Sequence, residues 1–178
     1  MSRARWSLWV PLALFISICI VVAMQLIHPY GNDIHSAMIG KPVPQFALPP
    51  ASPERPGLST ADLRDGKPKL LNIFGSWCVP CIAEAPQLVE LERRGATIFG
   101  IDLRDHPDDL AEFLSERGNP FARIGADEVS QVPVELGSSG VPESFVIDGQ
   151  GVIRYQHIGD IRPEDVPMIL AKLKEAGA

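Results

Sequence analysis

Two cysteines, Cys78 and Cys81, are separated by two residues and follow directly after Trp77. A short apolar run, 70–74, precedes them, and a run compatible with a helix, 82–94, comes after them. Unpaired backbone N–H groups and the positive end of a helix favour a thiolate at such a junction. The pattern therefore predicts a reactive dithiol at a helix N-terminus, with Cys78 as the attacking sulfur and Cys81 as the resolving one.

A structural zinc site and a quiet disulfide are the two alternatives for this cysteine pair. Structural zinc normally takes four thiolate or imidazole ligands. The four histidines are too widely spaced to complete such a set: they are His28, His35, His106 and His157. A disulfide across so short a loop adds little constraint to the unfolded chain. We therefore predict a redox role and expect neither a metal ion nor another cofactor.

Composition and charge narrow the range of partners. The chain has 178 residues, a length that suggests one domain with an appendage, and a formal net charge of −6. All 22 acidic residues lie after residue 30, whereas two of the 16 bases, Arg3 and Arg5, lie before it. The part after residue 30 thus carries 14 bases and 22 acids, a net charge of −8. So acidic a domain argues against a nucleic-acid partner.

The N-terminal region resembles a membrane segment. Arg3 and Arg5 are followed by a run without charge, 6–27. About 20 apolar residues in a helix span the hydrocarbon core of a bilayer. Because the basic residues come first, we predict one transmembrane helix within an anchor of residues 1–30, with the N-terminus in the cytoplasm and the rest exported. A cleaved signal peptide is the alternative.

The remainder of the chain predicts a short tether, 31–44, and one α/β domain, 45–178. Apolar runs and helical periodicity predict the order β-α-β-α-β-β-α. The predicted strands are 70–74, 97–102, 121–124, 144–148 and 152–158, and the predicted helices are 79–93, 107–117 and 163–176. Right-handed crossovers then give a mixed sheet covered on both faces, with an antiparallel hairpin at one edge.

Two further segments complete this secondary-structure prediction. Residues 45–48 can form a short strand, and residues 57–60 can pair with it in an N-terminal extension of the domain. Residues 125–140 are polar and are predicted to be irregular. The sequence shows no internal repeat and no low-complexity segment.

The segment Trp77-Cys78-Val79-Pro80-Cys81, followed by Pro86, resembles the active site of the thioredoxin superfamily. The proline of Gly140-Val141-Pro142, just before a predicted strand, resembles the cis-proline that faces the thiols in that superfamily. The resemblance implies a thioredoxin-like fold with a central mixed sheet flanked by helices. It also implies a substrate-binding surface made by Trp77, Val141 and Pro142.

Four longer segments, 39–49, 71–78, 140–148 and 153–159, resemble the CcmG/DsbE family. Members of this family are membrane-anchored thiol:disulfide interchange proteins of cytochrome c maturation. The resemblance implies a reductant of disulfides in apocytochrome c or in cytochrome c maturation proteins. It further implies a DsbD/CcdA-like membrane thiol transporter as electron donor, and a catalytic domain on the periplasmic side of the bacterial inner membrane.

Two glutamates are candidates for the proton chemistry of the dithiol. Ordinary thioredoxins carry a buried Asp six residues before the first cysteine, but this chain has Asn72 there, and an amide cannot act as a base. Glu84 lies one helical turn beyond Cys81, and Glu143 directly follows the predicted cis-proline. Both match acids that the family keeps around its active site. We predict catalytic roles for Glu84 and Glu143, and the alternative is two exposed surface acids.

Two other activities are compatible with the same dithiol. One is a general periplasmic oxidant or reductant, because related dithiols span about −270 to −120 mV and sequence does not fix the potential. The other is a Cu(I) metallochaperone, since soft thiolates suit Cu(I). Metallochaperones on this scaffold need a histidine in the strand and loop region after the dithiol, and this sequence offers no clear candidate.

Overall fold

The computed structural model describes residues 3–27 and 36–178, and of residues 3–8 and 25–27 it describes the backbone alone. The chain divides into two compact units, and the division falls between Asp33 and Ile34. The predicted domain boundary at residue 30 and the first part of the predicted tether, 31–35, lie outside the described residues.

The first unit contains one helix, α1 (Arg3–Ile27), with Pro11 in its interior. Its large apolar side chains between Trp9 and Met24 are exposed. Across the residues that the structure describes, no helix combines the length and the apolar character needed to cross a membrane. The predicted transmembrane helix is therefore not confirmed.

The second unit holds the remaining elements. In chain order they are β1 (Ala47–Leu48), β2 (Leu58–Ser59), a 3₁₀ turn (Thr60–Leu63), β3 (Lys69–Phe74), α2 (Val79–Arg93), β4 (Ile98–Leu103), α3 (Pro107–Arg117), β5 (Phe121–Asp127), α4 (Gln131–Leu136), β6 (Glu143–Ile147), β7 (Ile153–Ile158) and α5 (Val166–Ala176). The bounds of α2 and α3 are those predicted. Local signals explain α3 in particular: Pro107 occupies its first turn, and Gly118 ends it with a φ of 91°.

Five strands form the central sheet in the order β5-β4-β3-β6-β7. The pairs β3–β4 and β4–β5 are parallel, whereas β3–β6 and β6–β7 are antiparallel. This arrangement confirms the predicted mixed sheet with an antiparallel hairpin at one edge. The separate antiparallel pair of β1 and β2 confirms the predicted N-terminal strand pair.

The sheet is covered on both faces, and side chains alternate between the faces along β3. Leu70 and Phe74 join a core with α2, α3 and α5, where the Phe74 ring lies 4.7 Å from that of Phe121. Leu71 and Ile73 join a second core on the other face, which β2, the 3₁₀ turn and α4 cover. On β3 and β6, the even-numbered residues therefore face α2, and the odd-numbered residues face the opposite layer.

The segment 125–140 departs from the sequence prediction. It was predicted to be irregular, which is wrong, because it continues β5 to Asp127 and then forms α4. The buried Asp127 carboxylate accepts hydrogen bonds from Gln131 N at 3.1 Å and Val132 N at 2.9 Å. These bonds satisfy backbone donors that a helix start leaves free. The final helix also begins at Val166 instead of residue 163.

Part of the predicted tether packs against the outer edge of β7. Val43 is 2% exposed and belongs to the second core. Its N–H donates to Gly151 O at 2.8 Å, and Ile153 N donates to Lys41 O at 3.0 Å. Residues 41–43 thus occupy backbone groups that an edge strand would otherwise leave unpaired.

The opposite edge of the sheet, β5, is covered in the same manner. Ala126 N donates to Pro49 O at 2.9 Å, and Ala51 N donates to Ile124 O at 3.1 Å. Residues 49–51 therefore pair with the middle of β5, whereas residues 41–43 pair with the chain at the start of β7. One stretch of chain before β2 lines both outer edges of the sheet.

We expect Val43→Ala to lower the free energy of unfolding by about 1–3 kcal/mol, because it removes two buried methyl groups and leaves a cavity. Urea unfolding of the oxidised protein measures the change. Val134→Ala is the matched control, since Val134 is 77% exposed. The control should change the free energy by no more than about 0.5 kcal/mol. Equal effects of the two substitutions would show that residues 36–44 act only as a tether.

Candidate active site

The two predicted cysteines form a disulfide at the start of α2. Cys78 is the N-cap residue, and its Sγ accepts a hydrogen bond from Cys81 N at 3.3 Å. Pro80 lies in the first turn, where the missing N–H of proline costs no helical hydrogen bond. Cys78 is 4% exposed and Cys81 1% exposed. The structure thus places the dithiol at a helix N-terminus, as predicted.

Contacts from the end of β4 hold the loop that carries Cys78. Ser76 donates from its backbone N to Asp105 Oδ2 at 2.7 Å and from its Oγ to Asp105 Oδ1 at 2.8 Å. Trp77 Nε1 donates to Leu103 O at 2.9 Å. A Cβ at Gly75 would lie 2.7 Å from Trp77 Nε1, so only glycine lets the indole fold back at this distance. The loop is therefore fixed at Ser76 and at Trp77.

Asp102 is a buried acid beside this anchor that the sequence analysis did not identify. It is 4% exposed and pairs across the sheet with Phe74. Burial, together with a hydrogen bond and the charge of the neighbouring Asp105, raises the pKa of Asp102 far above its ordinary value. Asp102 accordingly keeps its proton at neutral pH.

A signal for both aspartates was present in the sequence. They follow the core of β4, and the carboxyl ends of neighbouring parallel strands meet at one edge of a sheet. Asp102 and Asp105 therefore had to lie close to the loop that follows β3.

Asn72 and Glu84 form a buried polar network beneath the dithiol. Asn72 Nδ2 donates to Glu84 Oε1 at 2.9 Å and to Ser144 Oγ at 3.0 Å. The other carboxylate oxygen, Glu84 Oε2, accepts a hydrogen bond from Ile161 N at 2.9 Å. Glu84 is 1% exposed, so it is not the surface acid of the alternative interpretation. Asn72 thus binds an acid at the position where ordinary thioredoxins carry one.

Burial raises the pKa of Glu84 from its ordinary 4.5 to about 7. The hydrogen bonds from Ile161 and Asn72 oppose this rise, and the nearby charge of Asp160 adds to it. A carboxyl group with this pKa exchanges its proton at neutral pH. It lies one turn after Cys81 on the same buried face of α2. Glu84 is therefore suited to accept or return the proton of the resolving thiol.

Glu143 is also buried, but it faces the opposite side of the sheet. Across β3 and β6, Asn72 pairs with Ser144, and Ile73 pairs with Glu143. Because neighbouring residues alternate between faces, Glu143 points into the layer opposite α2. Both Glu84 and Glu143 are predicted from the sequence to lie around the sulfurs, but the sheet separates the two carboxylates.

The Glu143 carboxylate holds the segment that leads to Pro142. It accepts hydrogen bonds from Ser138 Oγ, from Ser139 N at 3.0 Å, and from Gln156 Nε2 on β7. The bond between Val141 and Pro142 is cis, as the resemblance implies. Glu143 thus ties residues 138–139 to β7 and, through them, positions the predicted substrate-binding residues.

Gln156 completes this second network. Its Oε1 accepts a hydrogen bond from Ser36 N at 2.6 Å, and Ser36 Oγ donates to Leu136 O. No sequence signal marked Gln156. Strict alternation along β7 would place Gln156 and Ile153 on opposite faces of the sheet. A bulge in the β6–β7 pair, where the register shifts between Val146 and Ile147, places them on the same face.

The predicted substrate-binding residues differ in exposure. Trp77 is 58% exposed, and its neighbour Val79 is 74% exposed. Val141 and Pro142 are more deeply placed. Within the described parts of the chain, no three His, Cys, Asp or Glu side chains come together in a way that could hold a metal ion.

Comparisons of the sequence with known proteins agree with this geometry. The profile of the Redoxin family matches residues 38–173. The thiol:disulfide interchange protein HelX of Rhodobacter capsulatus is 43% identical over 144 residues, which is 81% of this chain and 80% of HelX. The thiol:disulfide interchange protein DsbE of Escherichia coli K12 is 40% identical over 165 residues, covering 89% of this chain and 88% of DsbE.

A solved structure gives the same result for the fold. The crystal structure of a thiol:disulfide interchange protein DsbE from Chlorobium tepidum superimposes with a TM-score of 0.68 at 27% sequence identity. The superposition covers 79% of this chain and 98% of that protein. The thioredoxin-like α/β fold is therefore established.

We expect the stability of the oxidised protein to depend on Glu84 in a specific pH window. The raised pKa means that the folded state holds the proton more tightly than the unfolded state. The associated stability is therefore complete below pH 4.5 and is lost as pH rises through about 7. The interval between these two values corresponds to about 3 kcal/mol. Urea unfolding of wild type and Glu84→Gln from pH 4 to pH 8 measures the difference.

Between pH 4 and pH 8, the free energy of unfolding should fall less in Glu84→Gln than in the wild type, because the contribution of Glu84 is absent. This difference does not depend on the absolute stability of the variant. Asp102 titrates in both proteins, so the difference curve isolates Glu84. Glu92→Gln, which neutralises an exposed acid of the same helix, is the control and should follow the wild type. Parallel curves for wild type and Glu84→Gln would contradict the raised pKa.

We expect Glu143→Gln to impair reaction with a polypeptide client but not the proton chemistry of the thiols. The amide keeps one acceptor and turns an N–H group towards Ser138, Ser139 or Gln156, which loosens the segment before Pro142. Loss of one such hydrogen bond corresponds to about a tenfold lower rate. Stopped-flow oxidation of the reduced protein by a disulfide-bonded peptide measures it.

Two comparisons separate this role from a direct one. The rate with a small neutral disulfide should be unchanged, and so should the pH profile of Cys78 alkylation. The control is Glu128→Gln, an exposed acid just before α4. A shifted alkylation profile in Glu143→Gln would instead indicate direct coupling to the thiol.

Proposed function

The chain belongs to the Redoxin family and, within it, to the DsbE- and HelX-type thiol:disulfide interchange proteins, and from this premise we propose that it reduces disulfides during c-type cytochrome biogenesis. As a member of this family it is a thiol:disulfide oxidoreductase. Its proposed substrates are disulfides of apocytochrome c or of a maturation partner. The observation that carries the proposal is the Cys78–Cys81 disulfide at the start of α2, beside the conformationally fixed loop of Ser76 and Trp77.

The proposed reaction begins with the reduced dithiol. The Cys78 thiolate attacks one sulfur of the client disulfide, forms a mixed disulfide and releases the other client sulfur as a thiolate, which takes up a proton. The Cys81 thiolate then attacks Cys78 Sγ, which forms the Cys78–Cys81 disulfide and releases the second client thiolate. Two electrons pass from the protein to the client, and the protein ends in the disulfide state.

Placement of the two thiols supports this division of roles. Cys78 is the N-cap residue, so the free N–H groups of the first turn stabilise negative charge on its sulfur. Cys81 lies one turn further along α2 and is the more buried of the two. It must lose its proton before it can attack the mixed disulfide. We assign that proton to Glu84, whose pKa of about 7 leaves a substantial carboxylate population at neutral pH.

The client is proposed to bind across Trp77, Val141 and Pro142. Trp77 presents an exposed aromatic surface directly before Cys78. An extended client is proposed to pair with the backbone of Val141, since Gly140 O and Pro142 O already accept hydrogen bonds from Ser138 Oγ and Gly159 N. Glu143 acts as a positioning residue for that backbone, from the other side of the sheet.

The electron donor and the cellular location are proposed from the same family resemblance. The periplasm is kept oxidising, so a reductant working there needs a supply of electrons from the membrane. A DsbD/CcdA-like thiol transporter is the proposed donor, and it would reduce Cys78–Cys81 by the same exchange in reverse. The catalytic domain is accordingly proposed to lie on the periplasmic side of the inner membrane. Anchoring by residues 1–30 stays a prediction from the sequence.

We expect Cys81→Ser to accumulate a mixed disulfide on Cys78, because the resolving sulfur is gone. Expression of the variant in a bacterium that makes c-type cytochromes, followed by non-reducing electrophoresis and mass spectrometry, identifies the client. A covalently trapped apocytochrome c or maturation protein is the expected result. Cys78→Ser is the matched control and should trap nothing by this route.

The redox potential of the pair tests the direction of the reaction. A reductant should have a potential towards the thioredoxin end of the range, near about −270 mV. A value near about −120 mV, or a set of trapped clients without any cytochrome c maturation protein, would contradict the proposed role.

A further inference from the structure

A groove of about 290 Å³ opens beside Trp77, between the first turns of α2 and the outer face of α3. Its apolar side includes Trp77, Ile82 and Phe113. The groove therefore begins at the residue next to the attacking cysteine and leads away along α3. A polypeptide with its disulfide at Cys78 would have neighbouring side chains within reach of this groove.

The α3 side of the groove is acidic. Asp109, Glu112 and Glu116 all line it, and their spacing along the helix places them on one stripe. All three side chains are exposed. Arg117 also lines the groove and lies 3.8 Å from Glu116, an exposed pair that screens little of the remaining charge. Within the described residues, Asp109 and Glu112 make no ion pair.

The Trp77 indole is held in place at this groove. Its Nε1 donates to Leu103 O, which fixes the ring at one end, while 58% of the residue remains exposed. An ordered, accessible indole attracts a Lys or Arg side chain through its ring face. The same groove therefore combines an aromatic surface with carboxylates, and both favour a cation.

We propose that this groove binds a Lys or Arg side chain that neighbours the reacting disulfide of the client polypeptide. The inference rests on the proposed function and adds the charge of the preferred client. The groove is lined by three carboxylates and one guanidinium, so its net negative charge disfavours the binding of an acidic client segment. The acidic surface of the whole domain adds long-range attraction for a basic client.

The test compares disulfide-bonded peptides that differ only beside the cysteines. One carries Lys at the flanking positions, a second Gln and a third Glu. Stopped-flow oxidation of the reduced full chain should be about tenfold faster with the Lys peptide than with the Gln peptide at low salt, and slowest with the Glu peptide. The preference should fall to about twofold at an ionic strength near 0.3 M, because salt screens exposed charges.

Two variants of equal net charge locate the effect. Asp109→Asn/Glu112→Gln/Glu116→Gln should lose most of the preference for Lys. Glu54→Gln/Glu128→Gln/Glu164→Gln neutralises three exposed acids that do not line the groove, and it should retain the preference. All variants should react normally with 2-hydroxyethyl disulfide, a small neutral substrate.

Equal rates for the Lys and Gln peptides would overturn the inference. An equal loss of preference in both triple variants would also overturn it, because that result assigns the effect to net charge alone. A Lys peptide with serine in place of cysteine tests binding apart from redox chemistry, through the NMR shift of the Trp77 indole N–H. The protein could show no disulfide exchange while the Lys peptide still shifts the NMR signal of the Trp77 indole N–H. That result would refute the proposed function and leave the groove assignment standing.

Discussion

The two hydrogen bonds from Ser76 to Asp105 fix the point at which β3 ends and α2 begins. A sulfur gains from a helix N-terminus only if the first turn keeps one orientation relative to it. The buried carboxyl of Asp102 lies beside this contact, and its burial and the neighbouring Asp105 raise its pKa far above the ordinary value. Trp77 is fixed to the same strand end through Leu103 O. The dithiol thus depends on the end of a neighbouring strand as much as on its own helix.

The central sheet divides the supporting acids by task. On the α2 face, Glu84 has two hydrogen-bond donors, is shielded from water and has a pKa near neutrality. On the other face, Glu143 is saturated with donors from Ser138, Ser139 and Gln156. The first arrangement suits proton exchange, and the second suits rigid placement of the residues before Pro142. Two glutamates that look alike in sequence therefore have different physical roles.

Sequence reasoning succeeded where local signals were sufficient. The bounds of α2 and α3 follow from proline in the first turn and from apolar periodicity, and the β3–β4 core follows from short apolar runs. It failed at α4, whose start depends on the Asp127 carboxylate and whose apolar face is only two turns long. The burial of Glu84 depends on Ile161, which is 77 residues away along the chain. Gln156 was missed because a bulge reverses the alternation on β7.

Other segments of the chain already pair with part of each outer strand of the sheet: residues 40–43 pair at the start of β7, and residues 49–51 pair with the middle of β5. Exposed strand edges are the usual template for adding a foreign strand or a second copy of the same chain. A polypeptide client of the proposed kind would supply such a foreign strand. A foreign strand that paired with the start of β7 or with the middle of β5 would have to displace these segments. Extension of the sheet at these positions therefore carries an energetic cost that disulfide exchange at Cys78 does not carry.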